Sequence, residues 1–137
     1  MAQKLLTNPI LKALAKTPYG TTDGVERDSK KVIARYFGGE AFVCYVLEDD
    51  HFFKEYKEGK NDRMVPTSTD EANISDLKNV FAAQSVGHGL ELGCTSLKEV
   101  FSLRFRPFGL GVERDISVEP FKYTLGELRK MHGEDWL

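Results

Sequence analysis

The sequence predicts an α+β domain in which an antiparallel, hairpin-built sheet packs against short helices. Three observations carry that expectation. Apolar runs with the two-residue alternation of strands recur between glycine-rich turns. Two Ser/Thr-x-x-Glu motifs, Ser96–Glu99 and Thr124–Glu127, have the form of helix-opening capping boxes. The 137 residues are 41% hydrophobic and 29% charged, the composition of one globular domain.

The first element is a short helix over 8–16. Asn8 is a good N-cap and Pro9 suits the first helical position, where no amide hydrogen is needed. Ile10 with Leu14, and Leu11 with Ala15, fall at i,i+4 spacing, and Pro18 and Gly20 end the helix. Residues 17–30 read as a loop. Lys31 to Phe37 is a strand, and Gly38-Gly39 supplies the positive φ angles of a tight hairpin. Glu40 to Glu48 returns as the second strand. Ala41, Val43, Tyr45 and Leu47 share one face and Phe42, Cys44 and Val46 the other, so this strand is expected at the centre with both faces covered.

The texture changes between Asp49 and Asn79. Residues 50–78 read as an excursion inserted into the single domain 1–137, and long irregular segments are commonly functional or mobile. Val80 to Val86 and Leu90 to Thr95 form a second hairpin about Gly87-His88-Gly89. A helix follows over 97–104, with Leu97, Val100, Phe101 and Leu103 as its buried stripe. Val112 to Val118 alternates as a half-exposed strand near an edge, with Arg114 on one face and Glu113 and Asp115 on the other. The last helix runs over 125–132 and stops at Gly133.

Charge and cysteine content narrow the setting. The 19 Lys and Arg against 21 Asp and Glu leave a net charge of −2. That is neither the basic surplus of a nucleic-acid coat nor the acidic excess of a DNA mimic. Cys44 and Cys94 follow no secretory signal and are expected to be reduced packing residues. No apolar run approaches the roughly 20 residues that span a bilayer, so no membrane is expected and the cytoplasm is the default compartment.

Several fragments together resemble a known family. They are Lys4-Leu5-Leu6-Thr7, Pro18-Tyr19, Tyr36-Phe37, Ala41-Phe42-Val43-Cys44-Tyr45, Glu91-Leu92-Gly93 with Ser96-Leu97 and Glu99, the run Phe108 to Asp115, and Glu119-Pro120. In order and spacing they resemble the bacterial domain of unknown function numbered twenty-nine fifty-eight, over residues 3–48 and 80–128. Two features depart from its pattern: the insertion at 50–78, and Cys94-Thr95 where the family tends to carry an aromatic. The resemblance implies a small cytosolic protein of plasmids, integrative elements or phages. It implies no reaction, cofactor or catalytic set.

The chemistry-bearing clusters are few. Glu113 and Asp115 on one strand face would stand roughly 7 Å apart, a spacing that suits a metal or an acid–base pair, and equally a solvated face or a structural ion pair with Arg114. His88 between two glycines offers an imidazole, or only a turn residue. Arg104-Phe105-Arg106-Pro107-Phe108 interleaves cations with rings, which suits single-stranded nucleic acid, or a helix end with arginines near its carbonyls. Phe52, Phe53, Tyr56 and Met64 in the excursion are aromatic and thioether anchors of the kind that dominate protein interfaces. No phosphate loop, HExxH, CxxC or GxSxG motif occurs.

The leading expectation is therefore a non-enzymatic, protein-binding accessory protein of a phage or mobile element, for instance an inhibitor of a host defence complex. The alternatives are a nucleic-acid binder using Arg104, Arg106 and nearby rings, and a metal-assisted hydrolase centred on Glu113, Asp115 and His88. No cofactor is expected, and the oligomeric state is open.

Overall fold

The computed structural model describes residues 4–18, 20–49 and 79–134. The expected excursion at 50–78, with Phe52, Phe53, Tyr56 and Met64, lies outside the described residues. The helices are α1 (Asn8–Lys16), α2 (Leu97–Ser102) and α3 (Leu125–Met131). The strands are β1 (Ala34–Gly38), β2 (Phe42–Asp49), β3 (Asn79–Ser85), β4 (Glu91–Ser96) and β5 (Glu113–Arg114). They form one antiparallel sheet in the order β4-β3-β2-β1-β5. This is the α+β architecture predicted from the sequence.

The double-faced pattern of β2 explains the layering. Phe42, Cys44 and Val46 face a core completed by Ile10, Ala13 and Leu14 of α1 and by Leu97 and Val100 of α2. Val43, Tyr45 and Leu47 face a second core with Val118, Leu125 and Leu128, the latter two from α3. Helices thus cover both faces of the sheet, and β2 is its central strand. Phe42 to Leu47 of β2 are all buried, and their apolar area is removed from water at a gain of about 25 cal/mol per Å².

Both capping motifs act at helix starts. The Ser96 hydroxyl accepts from the Glu99 amide. Thr124 and Glu127 make the full reciprocal box, with the Glu127 carboxylate accepting from the Thr124 amide at 2.9 Å. The hydrogen bonds from Thr124, that of its backbone amide foremost, hold the Glu127 carboxyl below its ordinary pKa.

Five local expectations need correction. Thr7, not Asn8, flanks the start of α1, and its side chain makes no cap bond; Asn8 is already helical. β1 begins at Ala34 because Val32 is taken by the segment before α3: its amide donates to Tyr123 O and its carbonyl accepts from the Phe121 amide. The first hairpin is not a two-residue Gly-Gly turn. Gly38 still pairs with Phe42, which leaves Gly39 to Ala41 as the loop. α2 stops at Ser102, where Leu103 turns extended and becomes exposed rather than joining the buried stripe. The strand expected over Val112–Val118 is only two residues long. Asp115 ends it by accepting, at one carboxylate oxygen, from both the amide and the hydroxyl of Ser117, a local turn that competes with the ladder. Ile116 is consequently exposed, and Val118 joins the core opposite to that of Val112.

Cys44 is buried at the sheet centre, where desolvation pushes its thiol up to about 12. Cys94 lies exposed on β4 rather than packed, and no disulfide joins the two. No helix among the described residues is long and apolar enough to cross a membrane.

Candidate functional site

Two regions of the described residues concentrate charged and aromatic side chains. The first is built on β1. Arg35 pairs with Tyr45 across the β1–β2 ladder, and the alternation of β1 sends its side chain to the α3 face. Arg35 is only 5% exposed. Its guanidinium donates to Asp115 Oδ2 at 3.2 Å and to Glu134 Oε2 at 2.8 Å. It also lies over the rings of Phe37, at 5.0 Å, and Tyr45, at 5.7 Å. The Tyr45 hydroxyl donates to the other Glu134 oxygen. His132 Nε2 stands 3.1 Å from Asp115 Oδ2.

The electrostatics follow from this packing. Burial acts to lower the Arg35 pKa, but the Glu134 and Tyr45 partners outweigh it and raise it above the ordinary value. Burial, reinforced by the neighbouring Glu134 carboxylate, raises the Tyr45 phenol. Burial would raise Asp115 as well, yet hydrogen bonds from Ser117 and the charges of Arg35 and His132 pull it below the carboxylate norm. The cluster is a mutually satisfied ionic knot that fastens the end of α3 to β1 and β5. Among the described residues, Arg35 Nε is the one fully buried side-chain polar atom of the cluster without a hydrogen-bond partner.

The second region is the loop leaving α2. Phe105 and Leu110 form an isolated bridge, and the Gly109 amide donates back to Phe105 O at 2.7 Å. The Arg106–Pro107 peptide bond is cis. Phe105 is the inward anchor. Its ring lies 5.9 Å from that of Phe42 and rests directly on the backbone of Gly38 and Gly39. A Cβ on Gly38 would overlap Cε2 of that ring, and one on Gly39 would come within 2.7 Å of Cδ1. Both glycines are therefore required for this close approach, and Gly39, at φ 59°, for the turn as well. Beyond the anchor the loop turns outward, leaving Phe108 81% and Leu110 66% exposed. Open grooves flank Phe105 on both sides, about 570 Å³ toward β4 and about 700 Å³ toward β5.

The residues named from sequence separate between these regions. Arg104 and Arg106 both line the larger groove, together with acidic Glu40 and Glu113. The Arg104 guanidinium is tied back to the carbonyls of Phe101, at 3.1 Å, and Leu103, at 2.7 Å. A track of mixed sign with one of its two arginines engaged is poorly suited to following phosphates. Arg114 projects to the α1 face, where its Nε donates to Lys4 O at 2.9 Å. Asp115 projects to the other face and joins the Arg35 knot. His88 is exposed in the β3–β4 turn, at the sheet edge opposite to β5, so it does not converge with Glu113 and Asp115. Among the described residues no group of three or more His, Cys, Asp or Glu side chains could hold a metal ion.

Sequence reasoning missed Arg35, Tyr45, His132 and Glu134. One signal was present: Arg35 interrupts the apolar run Val32-Ile33-Ala34 before Tyr36-Phe37, and a cation on a buried face demands a carboxylate. Glu48 carried the same signal. It is 1% exposed and accepts from the amides of Gly20 and Thr22, each at 2.8 Å, and from the Thr22 hydroxyl. The ammonium of Lys30 donates to Thr22 O and Oγ1, so this network fixes the loop after α1 against the end of β2. Comparison of the chain with protein-family models, curated proteins and solved structures finds no match.

Proposed function

We propose that this chain is a protein-binding accessory protein that acts by docking rather than by bond-breaking, with the loop Leu103–Leu110 as its contact surface. The carrying observation is the pairing of an anchored ring with an unanchored one. Phe105 is locked onto Gly38 and Gly39, and three residues later Phe108 is held almost fully in water. An aromatic presented on a braced loop loses little conformational entropy on binding, which is what an interface anchor requires. Leu103, Leu110 and the exposed stem of Arg106 extend the patch. The bacterial family resemblance supplies the setting, an accessory protein of a phage or mobile element, with a host complex such as a defence assembly as the partner class.

The test is affinity capture from lysate of a bacterial host with wild type and with Phe108→Ala/Leu110→Ala. The double variant is expected to lose a protein that wild type retains, with an unchanged circular dichroism spectrum. Equal recovery by both chains overturns the assignment of the surface. Steeply salt-dependent retention of oligonucleotides on filters would instead favour the nucleic-acid alternative.

A further inference from the structure

Cations on the two sides of the sheet are treated differently. Beside α3 the arginines are neutralised within the chain: Arg27 and Arg129 by Asp28, and Arg35 by Asp115 and Glu134. The segment that forms α1 is built otherwise. From Met1 to Thr22 the sequence holds Lys4, Lys12 and Lys16 and no acidic residue. α1 turns Ile10, Ala13 and Leu14 to the core and leaves Lys12, Ala15 and Lys16 exposed. Neither the Lys12 nor the Lys16 ammonium has a hydrogen bond or an ion pair among the described residues. Like charges four residues apart on a helix repel. Lys16 is compensated by the negative end of the helix dipole, whereas Lys12, a turn earlier, gains nothing inside the molecule. The pair calls for a counter-charge from outside. This face also adjoins the docking loop. Leu5, three residues before α1, lines the same groove as Arg106, Phe108 and Leu110. Within that groove Glu40 and Glu113 offset Arg104 and Arg106, so the cationic excess comes from α1.

We infer that the partner docked by the Leu103–Leu110 loop is a protein with an acidic surface, whose carboxylates face Lys12 and Lys16 while Phe108 enters an apolar recess. The inference rests on the docking reading above and names the chemistry of its partner. An interface of ordinary size covers roughly 800 Å² of each protein, enough to reach from the loop onto α1. The two parts act on different steps. Exposed charges at an interface rim act over about a Debye length, so they steer the encounter and make it salt-dependent. A ring that loses its water on docking holds the complex once formed, and so sets the dissociation rate. A phosphate backbone fits this face less well, because the groove that adjoins it carries Glu40 and Glu113.

Stopped-flow fluorescence with the full chain tests it. The probe is a synthetic peptide of adjacent leucines flanked by glutamates, and its control carries serines in place of the glutamates. At low salt the glutamate peptide is expected to associate with wild type about tenfold faster than the serine peptide, and to lose that advantage at high salt. Lys12→Glu/Lys16→Glu is expected to abolish the advantage with the dissociation rate unchanged. Lys12→Gln/Lys16→Gln is the second variant should the first disturb the helix. Phe108→Ala is expected to do the reverse, raising the dissociation rate about tenfold and leaving association fast. Equal association of the two peptides, binding of neither, or an advantage that survives both lysine variants overturns the acidic partner, while the loop keeps its own test in Phe108. Faster association of an equally charged oligonucleotide also overturns it, in favour of a nucleic acid. If Phe108→Ala leaves both rates unchanged, the docking reading itself fails and this inference falls with it.

Discussion

The Arg35 knot and the Leu103–Leu110 loop use similar residue types to opposite ends. Each holds arginine, aromatic rings and a nearby acid. In the knot the cation is buried between two rings and two carboxylates, so its chemistry is spent on holding β1, β5 and the end of α3 together. In the loop one ring is spent on anchoring, and Phe108 remains in water. A charged or aromatic cluster therefore points to recognition only when its partners are not already inside the molecule.

The largest test of that contrast is removal of the buried cation. Arg35→Ala leaves Asp115 and Glu134 facing each other with their shared partner gone, and is expected to destabilise the fold by about 3–5 kcal/mol in urea unfolding. A loss below about 1 kcal/mol would mean that water reaches the knot and that it is no more structural than a surface pair.

Glu48→Ala probes the second buried network. It strands the amides of Gly20 and Thr22, and is expected to cost about 2–4 kcal/mol by the same measurement. Gly38→Ala sharpens the comparison from the other side, because it pushes against the ring of Phe105. A destabilisation of about 1–3 kcal/mol is expected. Partner capture should fall with it, since Phe108 loses its brace.

Acid gives a smaller, directional effect. The native Asp115 carboxyl sits below its unfolded pKa, so the unfolded chain binds the proton first as pH falls. The contribution of Asp115 is therefore present at neutral pH and lost as pH drops below the ordinary carboxylate range. Asp115→Asn is expected to flatten that acid limb of a stability–pH curve, and an unchanged limb would locate the acid sensitivity elsewhere. The smallest effect belongs to Phe108→Ala, which should alter stability by no more than about 0.5 kcal/mol while removing the docking anchor.

The two-sided apolar pattern of Phe42–Leu47 and the capping boxes at Ser96 and Thr124 were legible in the sequence because each depends on spacing within a few residues. So were the two hairpins and the helix that follows Thr7. The early end of β5 was not, since an Asp-x-Ser turn and a continuing strand share the same local alternation. The role of Gly38 was read as turn geometry, whereas its packing reason lies with Phe105, 67 positions away. The membership of the knot was equally hidden, because Arg35, Asp115 and Glu134 meet only after three distant segments have folded.

By itself the sequence determined the α+β class, the strand and helix order and the central place of β2. Backbone propensity, alternation and caps are local, and the chain expresses them wherever it lies. Tertiary structure alone decided which charges cancel and which rings stay in water. Those outcomes depend on neighbours remote in the chain and on the water that folding removes.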